Sequence, residues 1–142
     1  MTIDLANLDT AAACDKGAEI ELYHPVTKVP LNVFFTVLGE DSAVFKNKAR
    51  EFANARLRRE ATMRGRGKTA EVRSLEDSEK DNLSILAECT TGWRTGNSPT
   101  VTIDGRELPF SKKNAEDFYQ RFPKFRDQIQ DAITELENFL PK

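Results

Sequence analysis

Two apolar segments constrain the fold most: AEIELY at residues 18–23 and NVFFTVL at residues 32–38. The first alternates, with Ile20 and Leu22 on one side and Glu19 and Glu21 on the other, the period of a half-buried strand. The second is β-branched and aromatic, as strands are. Two prolines, Pro25 and Pro30, lie between them, and Gly39 ends the pair. The spacing predicts an N-terminal β-hairpin with its loop near residues 24–31. A lone hairpin is marginal in water, so this one must pack against something.

The rest of the chain supplies helices. Asp41 and Ser42 suit a helix N-cap. Phe45, Ala49, Phe52, Ala53 and Leu57 then recur at three- and four-residue spacing. A second helix opens at Ser74 or Ser78, buries Leu83, Leu86, Ala87 and Cys89, and stops at Gly92. Asp104-Gly105 between short flanks signals a second short hairpin. Ser111 caps a third helix. Pro123 breaks the chain before a fourth, whose stripe runs from Phe125 through Ile129, Ala132, Ile133, Leu136, Phe139 and Leu140. The expected class is α+β, mainly α-helical, with about four helices, an N-terminal hairpin and a second short one. Residues 1–17 read as a mobile N-terminal segment or one helical turn at Leu5 and Leu8, and 18–142 as a single domain; 142 residues suit one domain.

Composition narrows the chemistry. His24 is the one histidine, and Cys14 and Cys89 are the only cysteines. That is too few for a zinc site of several His and Cys ligands or for a disulfide scaffold, and a reduced, intracellular setting is expected. Cys14 is expected exposed and Cys89 buried. No apolar run reaches the ~20 residues of a spanning helix, and the opening MTIDLANLDT lacks the basic and apolar regions of a secretory signal. The adjacent carboxylates at Glu40/Asp41, Glu76/Asp77 and Glu116/Asp117 do not face one another on a helix. No catalytic residue, metal or cofactor is assigned, and no enzyme is expected.

The net charge of −2 is unevenly spread. Residues 44–73 carry ten Lys and Arg against three Glu, a surplus of seven. The remainder carries 11 basic and 20 acidic residues, a deficit of nine. Within the basic segment, GRGKT imitates the end of a phosphate-binding loop, but position 62 is Thr62 where that motif needs glycine, and a helix precedes it. Nucleic acid is disfavoured as a partner of residues 56–73, because no aromatic lies between Phe52 and Trp93 to stack a base and the overall pI is about 5.5.

The order of motifs resembles a family. The carrying residues are Gly39, Asp41 and Ser42; Gly92 and Trp93; Pro109, Phe110, Ser111, Asn114 and Ala115; Phe122 and Pro123; and Asn138, Phe139 and Leu140. Their arrangement over residues 17–140 resembles the tail assembly chaperones of long-tailed bacteriophages and prophages. The resemblance implies a non-enzymatic protein of the host bacterial cytoplasm, absent from the mature virion. It implies binding of the tape measure protein, which is thereby kept soluble, and recruitment of tail tube protein, in many phages through a frameshift-extended form. Self-association is expected, and no membrane partner. The candidate partner-binding residues are Phe45, Phe52, Leu57, Arg56, Arg59 and Arg64. Two other readings are a structural tail component retained in the virion and a nucleic-acid-binding regulator using residues 56–73.

Overall fold

The computed structural model describes residues 4–65 and 75–140. The GRGKT loop, apart from Gly65, and the Ser74 cap therefore lie outside the described residues. The architecture is α+β, with two small antiparallel sheets and five α-helices among the described residues. In order they are α1 (Thr10–Lys16), β1 (Ala18–Tyr23), β2 (Pro30–Val37), α2 (Ala43–Gly65), α3 (Leu75–Cys89), β3 (Thr90–Thr95), β4 (Thr100–Ile103), β5 (Arg106–Pro109), α4 (Lys112–Arg121) and α5 (Pro123–Thr134). Short 3₁₀ turns lie at Leu5–Leu8 and Leu136–Asn138. No described helix is long and apolar enough to cross a membrane.

The N-terminal hairpin forms, with β1 antiparallel to β2, but it does not stand alone. β3 pairs antiparallel with β2 and completes a sheet of order β1-β2-β3. This corrects the reading of Gly92 as a helix stop. α3 ends at Cys89, and Gly92 sits inside a strand opposite Thr36. Trp93 is thereby placed opposite Phe35. The hairpin loop is turned by His24, whose Nδ1 accepts from the N–H of Val26 and of Thr27, each at 3.1 Å. Between Glu21 and Tyr23 of β1 the ladder shifts, with Leu31, Asn32 and Val33 of β2 opposing Leu22 alone. Asn32 takes φ 60° to make this bulge.

The core is aromatic and lies between the three-stranded sheet and α3, α4 and α5. Phe35, wholly buried, meets Trp93 at 5.3 Å, Phe118 at 5.0 Å and Tyr119 at 6.0 Å between ring centroids. Thr90 Oγ1 donates to the Leu86 carbonyl at 2.7 Å, so the Tyr119 hydroxyl donates to Thr90 Oγ1 at 2.6 Å. Burial pushes the Tyr119 hydroxyl pKa well above its ordinary value. Trp93 Nε1 donates to the Leu108 carbonyl at 3.1 Å, which ties the β4–β5 hairpin to the sheet.

That second hairpin forms as expected. Its tip, Asp104-Gly105, has φ of 54° and 76°, the pair of positive values a type I′ turn needs. Arg121 at the end of α4 clasps Asp104, its two terminal guanidinium nitrogens, Nη1 and Nη2, donating to the carboxylate at 2.5 and 2.9 Å. The hydrogen bond from Arg121 is the main reason the Asp104 carboxyl sits below its usual pKa. A group with a lowered folded pKa stabilises the fold above its unfolded pKa and ceases to do so as pH falls through the folded value. The gap in urea midpoint between the wild type and Asp104→Asn is therefore expected at neutral pH and closes on acidification through the lowered pKa. A gap unchanged in acid would remove the ion pair as its cause.

Ser111 caps α4, accepting from the Asn114 N–H at 3.1 Å, and Pro123 opens α5 at its first turn. α5 then ends earlier than its apolar stripe suggested. Glu135 leaves the helical region at φ −87° and ψ 106°, and Asn138 Nδ2 donates back to the Ala132 carbonyl at 3.0 Å. Leu136 is exposed in consequence, while Phe139 packs on the core.

The count of about four helices is corrected by α1. Asp9 caps it, accepting from the Ala12 N–H at 3.1 Å. Cys14, expected exposed, is wholly buried, and its thiol pKa is raised, chiefly by that burial. Asp15 Oδ1 accepts from the Ala43 N–H at 2.7 Å and so caps α2 from a distance.

Candidate partner-binding surface

α2 begins as part of the fold and ends as surface. Ser42, buried, accepts at Oγ from the Phe45 N–H at 3.2 Å and fixes where the helix starts. Phe45 is half-buried against the core, beside Ile85, Leu86 and Ile133. Its ring supports the fold as much as it could meet a partner. One turn further on, α2 and α3 enclose an open groove of about 280 Å³. Ala49, Phe52 and Ala53 form one wall, Ile85 the other, and Arg56, Asp81 and Asn82 supply the polar groups. Phe52 is half-buried and lies outside the core cluster. Lys48 Nζ stands 5.3 Å from its ring centroid, within cation–π range.

Beyond the groove one side of α2 is exposed. Leu57 is 58% exposed, and Arg56, Arg58 and Arg59 are exposed with it. The structure brings Phe52 and Arg56 into one groove and places Phe45 beside it. Leu57 and Arg59 lie further along α2, off the groove walls. Arg64 belongs to the last turn of α2, and its side chain is outside the described residues. The α2 stripe is weakly amphipathic, in contrast to α4 and α5, whose apolar faces are sharply one-sided and buried.

Sequence reasoning missed the α3 wall. Ile85 breaks no pattern in its helix, so it signals no groove until α2 and α3 pair. It also missed the acidic side of the molecule. Glu19, Glu21, Asp131 and Glu135, with Lys28, surround a larger opening of about 590 Å³ between β1 and α5. The spacing of Asp127, Asp131 and Glu135 by fours was the available signal. On the outer face of the sheet, Arg94 of β3 reaches Glu19 of β1 at 2.7 and 2.6 Å, with its guanidinium 4.0 Å above the Phe34 ring between them. That hydrogen bond is the main reason the Glu19 carboxyl pKa is lowered.

Cys89, the last residue of α3, is buried, and burial pushes its thiol up to about 12, so it is protonated at neutral pH and inert as a nucleophile. Among the described residues no group of three or more His, Cys, Asp or Glu is placed to hold a metal ion. No family model, curated protein or solved structure matches this chain.

Proposed function

We propose that this chain is a phage tail assembly chaperone that binds the tape measure protein through the α2–α3 groove and the exposed end of α2. The order of motifs over residues 17–140 supports the reading, and one structural observation carries it: an apolar groove with Phe52 and Ile85 in its walls opens onto a helix that continues, basic and exposed, past the core. A tape measure protein is long and helical, and its apolar faces need cover before the tube polymerises. An amphipathic helix laid into an apolar groove provides that cover. The protein then acts stoichiometrically in the host cytoplasm, without catalysis, and leaves before the virion is complete. Recruitment of tail tube protein, through a frameshift-extended form, and self-association belong to the same reading.

Co-expression with the large helix-rich protein encoded just downstream tests it. The large protein is expected to become soluble and to co-purify. A large protein that stays insoluble and captures nothing would overturn the reading. Phe52→Asp together with Arg56→Glu is expected to lower the co-purified amount about tenfold, the scale of losing one buried contact at an interface, while the urea midpoint of the chain alone changes little. Stoichiometric presence in purified mature tails, read by mass spectrometry, would instead favour a retained structural component.

A further inference from the structure

The opening between β1 and α5 lies apart from the α2–α3 groove and has its own chemistry. β1 is an edge of the three-stranded sheet, with β2 on one side and no strand on the other among the described residues. Its outer edge is already bridged once, by a side chain. Gln128 of α5 accepts from the Tyr23 N–H at 2.9 Å and donates to the Tyr23 carbonyl at 2.9 Å, as a neighbouring strand would. Tyr23 therefore turns both backbone groups outward. The bulge opposite lies on β2, so β1 alternates regularly, and Glu21 and Glu19 turn theirs to the same edge. That edge faces the opening of about 590 Å³.

Its walls are sorted by character. Ile20 and Ala132 lie toward the core, and Glu21, Asp131 and Glu135 bring negative charge against Lys28. Arg94 already engages Glu19, and Glu21 Oε2 accepts from the Asn32 N–H at 3.2 Å, so each carboxylate is held in place rather than swinging free. An unpaired strand edge is a template for another strand unless it is blocked. Among the described residues it is blocked at Tyr23 alone.

We propose that this groove is a docking site for an extended protein segment bearing lysine or arginine at alternate positions, which adds as a fourth strand to the free edge of β1. Main-chain hydrogen bonds to Glu19 and Glu21 supply the affinity, and side chains select the segment. Residues on one face of the added strand pair with Glu21, in an opening that Asp131 and Glu135 also line, and must be basic. Those on the other face meet Ile20 and Ala132 and must be apolar. The inference does not depend on the tail-assembly reading.

The probe is a capped hexapeptide of alternating valine and lysine, titrated into the full chain labelled with ¹⁵N. Binding is expected to slow hydrogen exchange at the Glu19 and Glu21 amides and to weaken steeply with salt. The same peptide N-methylated on its edge-facing residues is expected not to bind, since it cannot pair. Asp131→Lys with Glu135→Lys is expected to weaken binding at least about tenfold, the scale of reversing charge at a contact. Absence of binding at millimolar peptide, equal binding by the methylated peptide, or amide shifts confined to α2 and α3 would each overturn the proposal. The methylated control leaves the protein unchanged, so it decides the matter even if the double variant fails to fold.

Discussion

Replacing Phe35 by alanine is expected to lower the unfolding free energy by about 3–5 kcal/mol, the range for deleting a buried ring from a core that cannot close over the gap. The site meets that condition. Phe35 is on the central strand, flanked by β1 and β3, so its backbone is held on both sides. Its ring is wholly buried and touches Trp93 of β3 and Phe118 and Tyr119 of α4, all in the chain's second half. None of these can follow the missing ring without leaving another partner: Trp93 is tied to Leu108, and Tyr119 to Thr90. Total stabilities of small domains run to only about 5–15 kcal/mol, so the variant is expected to be close to unfolding. A urea titration followed by Trp93 fluorescence measures it. A loss below about 1 kcal/mol, the ordinary effect of a point substitution, would mean that the rings repack and that Phe35 is not the centre of the core.

A single methyl group placed at Gly39 is expected to cost about 1–3 kcal/mol, the usual effect of overpacking. A Cβ there would stand 2.3 Å from Cys14 Sγ, 2.9 Å from Cys14 Cβ and 3.2 Å from a ring carbon of Phe139. The Gly39 N–H also donates to the Cys14 carbonyl at 3.2 Å, so the backbone cannot easily retreat. Gly39 is where α1, the end of the β2 segment and the C-terminal turn meet. Gly39→Ala should therefore loosen all three together, seen as a lower urea midpoint and faster reaction of Cys14 with a thiol reagent. Gly92→Ala is the internal comparison. Nothing lies within 4 Å of a Cβ at Gly92, and its φ is not positive, so that variant is expected within about 0.5 kcal/mol of the wild type. Equal effects at the two positions would show that the contact with Cys14 is not what matters at Gly39.

Gly39 and Gly92 also show where a sequence stops being informative. Both read as punctuation, the end of a strand and the end of a helix. The first reading places a boundary correctly and misses the reason for the glycine, which is a cysteine 25 positions earlier in the chain. The second misplaces the boundary. TTGWRT has a central glycine and no clean alternation, and it becomes a strand because β2 offers it an edge to pair with and Trp93 a place beside Phe35. Strand preference depends on such context more than helix preference does. The candidate surface divides in the same way. The recurrence from Phe45 to Leu57 was legible, but which of those side chains lie in the fold and which lie in a groove depends on α3. Of the acidic groove only the α5 side was legible, in the fourfold spacing of Asp127, Asp131 and Glu135; that Glu19 and Glu21 face it was not, because they are far away in sequence.

What the sequence by itself determined is whatever neighbours along the chain can decide. The β1–β2 hairpin, the caps at Ser42 and Ser111, the turn at Asp104-Gly105 and the break at Pro123 each rest on a few adjacent residues, whose dihedral limits and hydrogen-bonding groups act locally. The tertiary structure alone decided the third strand, the burial of Cys14 and the two grooves. Each of these arises where segments distant in sequence come within contact range, and short-range forces register such contacts only once the chain has folded.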